Sequence, residues 1–147
     1  MRIKRLISII TSVTMVAIIS YADFITPATA ANTTNTSWTA NLTIAGSGKM
    51  INGYGRKKEN TTPVHIYYDS GITNQSIDVM IYGSDSVSGT YIDLTYGDIF
   101  YTITYKTSRN CPNQVYQTFA SSAYAKFKVF CGYNTGTFTG TWRPDNS

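Results

Sequence analysis

Apolar and polar side chains alternate along most of the chain after residue 36. The clearest stretch runs from Trp38 to Ile44, where every second residue is apolar and the residues between are polar. A period of two places one apolar row on one face of a β-strand. This pattern, with turn residues between the segments, predicts further strands at residues 49–54, 64–68, 77–82, 91–96, 99–105, 114–119, 123–130 and 135–142.

Short strands that recur with turn signals between them are typical of an antiparallel β-sandwich or an open barrel. The composition favours the same class, because Tyr, Thr, Ile and Val suit a pleated surface and Glu59 is the only glutamate. We therefore expect an all-β domain, a single antiparallel β-sandwich or open barrel of about seven to nine short strands. Residues 121–128 also fit two helical turns, an alternative that the pattern leaves open.

Residues 1–30 have the character of a signal peptide. Three basic residues among the first five precede an apolar stretch, and Ala28-Thr-Ala30 matches the small-residue pattern that signal peptidase cuts. The apolar stretch, residues 6–19, is shorter than the roughly 20 residues of a membrane-spanning helix. We expect cleavage after Ala30, a flexible leader over residues 31–36, a folded domain over residues 37–147 and a secreted, extracellular protein.

The only two cysteines, Cys111 and Cys131, flank the predicted strand at residues 123–130. In an exported chain two cysteines usually pair, since the extracellular environment is oxidising. We predict a Cys111–Cys131 disulfide that clamps the bases of two strands and stabilises the fold by about 3 kcal/mol, for a loop of about 20 residues. The alternative is a pair of free thiols.

The charge of the chain limits the classes of partner. The whole chain has 12 basic and 8 acidic residues, and nine basic and seven acidic residues remain without residues 1–30. This balance is too mild to indicate nucleic acid. The one run of charge is Arg56-Lys57-Lys58, close to Tyr54. We interpret Tyr54, Arg56, Lys57 and Lys58 as a contact site for an anionic surface, and the alternative is a solvated loop.

No pattern in the sequence indicates catalysis. His65, the only histidine, lies within a predicted strand, where a surface or rim position is the usual interpretation. A Ser-His-Asp triad needs a positioned serine and acid, and a zinc site needs three or four ligands at recognisable spacing. Neither pattern is present, and no pair of carboxylates stands out as a glycosidase requires. We expect a protein that is not an enzyme, with no catalytic residue, metal or cofactor.

Short motifs spread along the chain carry a resemblance. They are Arg56-Lys-Lys58, Val64-His-Ile-Tyr-Tyr68, Ser70-Gly71, Val79, Tyr82-Gly83, Thr95, Gly97, Asn113-Gln-Val-Tyr116, Tyr124-Ala125 and the G-x-W-x-P-D tail Gly140-Thr-Trp-Arg-Pro-Asp145. In these motifs the chain resembles small exported proteins of Gram-positive bacteria that have a signal peptide and no assigned function. The resemblance implies export and an all-β domain, and it brings no catalytic residues. The two cysteines and Arg143 depart from the pattern of that group.

Three functional hypotheses follow. The favoured one is a secreted, non-catalytic β-sandwich that binds an extracellular partner, which is a cell-envelope polymer, a glycan or another protein. We expect a monomer, and the basic run is compatible with contact to a membrane surface. The alternative is a bacteriocin-like or membrane-active, pore-forming toxin, although most predicted strands are shorter than the roughly 9–11 residues of a membrane-spanning strand. The third is a secreted hydrolase built from scattered residues.

Overall fold

A computed structural model describes residues 31–97 and 100–146, so the predicted signal peptide and its cleavage site lie outside the described residues. These ranges form ten strands, one short helix and a 3-10 turn. The strands are β1 (Thr36–Leu42), β2 (Lys49–Met50), β3 (Arg56–Lys57), β4 (Val64–Ser70), β5 (Ile77–Ser84), β6 (Ile92–Asp93), β7 (Tyr101–Ile103), β8 (Ser108–Cys111), β9 (Tyr124–Phe130) and β10 (Gly136–Arg143). Helix α1 (Val115–Phe119) is followed by the 3-10 turn (Ala120–Ser122).

The strands form two sheets. The first sheet has the order β1-β10-β4-β8. In the second sheet β9 and β5 form the centre, β2 and β3 pair with the other edge of β9, and β6 and β7 pair with the other edge of β5. Every pairing between these strands is antiparallel, which confirms the predicted antiparallel β architecture.

The two sheets face each other across an aromatic core. Trp38 on β1 and Trp142 on β10 enter it from the first sheet, and Phe127 on β9 enters it from the second. The ring of Phe127 is in T-shaped contact with both indoles, with ring centroids 5.5 Å apart for Trp38 and 5.3 Å apart for Trp142. Edge-to-face contacts are favoured between aromatic rings. The apolar phase of the sequence pattern therefore supplies the surface that joins the sheets.

The structure differs from the predicted elements in several places. Residues 114–119, predicted as a strand, contain helix α1, of which only Val115 is buried. The polar run 56–57 forms β3 and residues 108–111 form β8, although neither segment has an alternating apolar pattern. Pairing with β9 and β4 positions these two strands, in which Cys111 is the one fully buried residue. Ile44, predicted to continue the first apolar row, lies beyond the end of β1 and is 68% exposed.

The polar segment 31–36, predicted to be a flexible leader, is held against the domain. Asn32 donates its backbone N–H to Asp145 Oδ2 at 2.9 Å, and its side-chain Nδ2 to the carbonyl oxygen of Lys57 at 2.9 Å. Arg56 donates to the carbonyl oxygen of Thr34 at 2.6 Å. A segment without large apolar side chains can be held in this way when distant groups satisfy its amides.

The predicted disulfide is not formed, since Cys111 and Cys131 are both free and buried. Cys111 ends β8 at the end of the domain where Val115 packs against Gly83. Cys131 follows the β9 residue that pairs with Asp78. Gly83 and Asp78 are about 17 Å apart along β5, whereas a disulfide needs Cα atoms within roughly 7 Å. Cys111 therefore lies near the Gly83 end of β5 and Cys131 near the Asp78 end, too far apart to form a disulfide.

Burial raises the pKa of the Cys111 thiol from 9.0 to about 12. Between these pH values the unfolded chain has already lost a proton that the native protein keeps. The native state then binds more protons, so we expect the free energy of unfolding to fall as the pH rises from about 9 toward 12. The slope attributable to this thiol is at most about 1.4 kcal/mol per pH unit. Urea denaturation at a series of alkaline pH values measures it.

The control for this prediction is a Cys111→Val variant, which keeps an apolar group of similar size at the buried position. Other groups also titrate in alkali, and they contribute equally to both proteins. The expected result is a shallower decline of stability with pH in the variant. Equal slopes in the two proteins would contradict the raised pKa.

Candidate functional site

The basic run Arg56–Lys58 does not form one contact surface. Lys58 is fully buried, and its Nζ lies 2.8 Å from Asp145 Oδ1. The same Nζ donates to the carbonyl oxygens of Thr62 at 2.6 Å and Pro144 at 2.7 Å, so each of its three N–H donors has an acceptor. Burial lowers the pKa of Lys58, and the hydrogen bond and charge of Asp145 oppose that shift. The predicted contact role and the solvated-loop alternative are both wrong for Lys58, which is an internal tether.

Arg56 also turns inward. Its guanidinium carbon lies 5.6 Å from the ring centroid of Trp142, and its Nη1 donates to the carbonyl oxygen of the same residue at 3.3 Å. Its Nη2 donates to Asn32 Oδ1 at 3.0 Å. Partial burial lowers the pKa of Arg56, while the negative charge of Asp145 raises it. The guanidinium is thus occupied by contacts within the protein and is not the free cation that the sequence suggested.

Lys57 and Tyr54 remain at the surface. Lys57 is opposite Tyr124 in the pairing of β3 with β9, and its Nζ lies 5.1 Å from the centroid of that ring. It also donates to the carbonyl oxygen of Ser121. Tyr54, in the connection before β3, is 77% exposed. Of the four predicted contact residues, Tyr54 is exposed, Arg56 and Lys57 are half-buried, and only Lys58 is fully buried.

Lys57 belongs to a larger surface on the outer face of the second sheet. Along β9, alternate residues from Tyr124 to Phe130 face outward, and the residues between them are buried. Lys126 Nζ lies 5.9 Å from the ring centroid of Tyr91, and Lys128 Nζ lies 5.0 Å from that of Phe130. Each distance is within the range of a cation–π contact. We call this surface the lysine–aromatic face, and it consists of Lys57, Tyr91, Tyr124, Lys126, Lys128 and Phe130.

The connection between β2 and β3 fixes one edge of the lysine–aromatic face. Lys126 Nζ donates to the carbonyl oxygen of Gly53 at 2.6 Å, one residue before Tyr54. Gly55 leaves room for the hydroxyl of Tyr91, which a Cβ at residue 55 would overlap. Partial burial lowers the pKa of Lys126, because removal from water disfavours the ammonium form. Tyr54 therefore stands beside the face and can extend it.

A groove of about 490 Å³ opens at the Phe130 end of the lysine–aromatic face. It is lined by Gly46, Asp78, Met80, Phe100, Phe130, Gly132 and Tyr133. Tyr133 is 90% exposed and Phe100 is 47% exposed. The volume is in the range of ligand sites, which are mostly apolar with a few polar groups. The groove can accept a ring-sized group of a ligand that continues onto the lysines.

Two aspartates that lie beside the lysine–aromatic face, Asp78 and Asp93, are engaged with their neighbours. Asp78 Oδ1 accepts a hydrogen bond from Thr102 Oγ1 at 2.7 Å. Asp93, opposite Tyr82 in the sheet, accepts from the Oγ1 of Thr95 at 2.7 Å and from its N–H at 3.0 Å. Among the described residues, the three lysines of the face outnumber these two aspartates, which gives this part of the surface an excess of positive charge.

Other candidate chemistry does not converge in the described residues. His65 Nδ1 lies 2.7 Å from Asn110 Oδ1, across the pairing of β4 with β8. Within residues 31–97 and 100–146, no three His, Cys, Asp or Glu side chains are placed to hold a metal ion. In that same part of the chain, no helix has the length and apolar character needed to cross a bilayer.

The sequence contained a signal for this face. The alternation over residues 123–130 predicts a strand, and its polar phase also predicts which side chains share the outer face. Two lysines and two aromatic residues occupy that phase. The groove had no such signal, because Phe100 and Tyr133 are far apart in the sequence and line one groove only in the folded domain.

A comparison with known protein families gives a match over most of the chain. A family model described as "Protein of unknown function (DUF2712)" matches residues 26–146 of the chain. No curated protein and no solved structure shows significant similarity to the chain. The match includes every strand described above, so the lysine–aromatic face and its groove lie within the matched region.

Proposed function

Because the chain belongs to the DUF2712 family, whose description assigns no function, we propose a function from the geometry of the site. The protein is a secreted, non-catalytic β-sandwich that binds an anionic glycan polymer of the Gram-positive cell envelope. The observation that carries this proposal is the lysine–aromatic face with the groove at its Phe130 end. Secretion rests on the signal-peptide pattern of residues 1–30, and the Gram-positive setting rests on the resemblance of the motifs.

A row of lysines suits a polymer that repeats its negative charges. Lys57 and Lys126 each contact one carbonyl oxygen, and an ammonium group has three N–H donors, so both can bind a ligand as well. Lysines near an anionic surface contribute on the order of 1 kcal/mol each. Since these side chains are at the surface, salt will screen the attraction. We therefore expect binding that weakens as the salt concentration rises.

The groove accounts for the uncharged part of the polymer. Phe100, Phe130 and Tyr133 line the groove, and the negative potential of an aromatic ring attracts the C–H groups of a sugar. The carboxylate of Asp78 has acceptor capacity beyond its bond to Thr102 and can receive a sugar hydroxyl. A sugar ring in the groove, with phosphate or carboxylate groups along the chain, would use both parts of the site.

Co-sedimentation of the purified protein with cell-wall sacculi that retain their phosphate-bearing polymers tests the proposal. We expect the double variant Lys126→Gln, Lys128→Gln to bind on the order of 30-fold more weakly, since each lysine contributes about 1 kcal/mol. The control is Lys106→Gln. Lys106 also stands over a ring, 5.6 Å from the centroid of Tyr105, but it pairs with Asp69 of the first sheet and lies off the face.

The outcomes separate the hypotheses. Sacculi stripped of their phosphate-bearing polymers should retain little protein, and the Lys106 variant should bind as the wild type does. Equal loss in the Lys106 variant, or no loss in the double variant, would contradict the lysine–aromatic face as the binding site. Dye release from anionic lipid vesicles would instead favour the alternative, a membrane-active toxin, because a plain binding protein releases none.

A further inference from the structure

The segment that precedes β1 connects the two sheets through Asn32. The N–H of Asn32 donates to Asp145 Oδ2 at 2.9 Å, and its carbonyl oxygen accepts the N–H of Asp145 at 3.4 Å. Its Nδ2 donates to the carbonyl oxygen of Lys57 at 2.9 Å, and its Oδ1 accepts from Arg56 Nη2 at 3.0 Å. All four polar groups of Asn32 are used. This one residue therefore joins β3 of the second sheet to the chain that leaves β10 of the first.

The carboxylate of Asp145 holds the other side of β3. Asp145 is fully buried, and its Oδ1 lies 2.8 Å from Lys58 Nζ. Its Oδ2 accepts the N–H of Glu59 at 3.0 Å in addition to that of Asn32. Arg56 is thus held by Asn32 and Lys58 by Asp145, while the side chain of Lys57, between them, points toward Tyr124 on the outer face.

Strand β3 needs such support because it has only two residues. Arg56 pairs with Ala125 and Lys57 with Tyr124, and a single further backbone bond, from the N–H of Lys58 to the carbonyl oxygen of Ala123 at 2.9 Å, continues this pairing. So short an edge strand forms too few ladder hydrogen bonds to fix its own position. The contacts of Asn32 and Asp145 supply the missing constraint.

We propose that Asn32 is a positioning residue of the binding site. Acting with Arg56 and Asp145, it holds β3 beside β9 so that Lys57 Nζ stands over the Tyr124 ring, 5.1 Å from its centroid. The inference rests on the proposed function, in which Lys57 contacts the polymer. It assigns a role in binding to a residue that is remote in sequence from the lysine–aromatic face.

The resonances of Lys57 test the positioning without any ligand. The ring current of Tyr124 should shift the ε-methylene protons of Lys57 upfield in the wild-type protein. Asn32→Ala removes both side-chain bonds to β3 and keeps the backbone bonds to Asp145, so we expect the shift to collapse toward the value of a free lysine. The control is Asn35→Ala, an exposed residue of the same segment, which should leave the shift unchanged. An unchanged shift in Asn32→Ala would overturn the proposal.

Binding to sacculi gives the second readout. We expect Asn32→Ala to weaken binding about fivefold, the share of one lysine, and Lys57→Gln to add nothing further in that background. A purely structural role would give additive losses, and that result would overturn the proposal. If the wild-type protein binds no sacculi, the proposed function fails, and the Lys57 resonance alone then decides whether Asn32 positions β3. Intact tryptophan fluorescence of Trp38 and Trp142 shows that each variant is folded.

Discussion

Replacement of Lys58 by methionine is expected to lower the free energy of unfolding by about 3–5 kcal/mol. The substitution leaves the Asp145 carboxylate fully buried with no ammonium beside it, and the carbonyl oxygens of Thr62 and Pro144 lose their donor. An uncompensated buried charge is among the most costly changes a folded protein can suffer. Urea denaturation followed by tryptophan fluorescence measures the loss.

The exposed ion pair Lys106–Asp69 provides the matched control. Its N–O distance, 2.7 Å, is nearly the same as that of Lys58–Asp145, but its side chains are 54% and 48% exposed. Solvent screens such a pair, so Lys106→Met should unfold at nearly the same urea concentration as the wild type. Equal losses in the Lys58 and Lys106 variants would show that burial does not set the strength of these pairs, contrary to our account.

The substitution Phe127→Ala is also expected to lower the free energy of unfolding by about 3–5 kcal/mol. Phe127 is fully buried, and its ring is in T-shaped contact with both Trp38 and Trp142. Alanine would remove the group that couples β9 to β1 and β10 and would leave a cavity between the sheets. The measurement is the same denaturation experiment.

Phe130→Ala is the control for the core prediction. Phe130 lies on the same strand but faces outward, and it is only partly buried. Its loss should cost clearly less stability than the loss of Phe127, and it should reduce binding to sacculi because the ring lines the groove. An equal or larger loss of stability in Phe130→Ala would contradict the aromatic core around Phe127 as the contact that joins the two sheets.

The sequence pattern predicts the long strands of this fold well, for a physical reason. Residues such as Trp38, Phe127 and Trp142 occupy alternate positions, and a strand with one buried face requires that period. The pattern fails where a segment is fixed by distant polar contacts. Strand β3 has no apolar phase, and its position depends on Asp145, which no local pattern connects to it.

The two cysteines illustrate a similar limit. Exported proteins usually pair their cysteines, so composition favours a Cys111–Cys131 bridge. Cys111 belongs to β8 in the first sheet and Cys131 follows β9 in the second, and pairing registers place them at opposite ends of the domain. Sequence separation does not report this, because consecutive strands of the chain lie in different sheets.

The sequence predicts only part of the candidate site. A surface role for Tyr54 and Lys57 follows from a run of charge beside an aromatic residue, but the same argument misplaces Arg56 and Lys58. Composition cannot distinguish a lysine that faces solvent from one that holds a buried carboxylate. The alternation along β9 places Lys126 and Lys128 on its outer face, once one face of the strand is known to be buried.

The most direct test of the account is a map of amide shift changes when a soluble phosphate-bearing glycan polymer is added to the isotope-labelled protein. We predict that the largest changes fall on β9, on β5 and around Tyr133, and that they diminish as salt is added. Changes concentrated on β10 and β4 of the first sheet would contradict the lysine–aromatic face as the binding site. The absence of any change would contradict the polymer as the ligand.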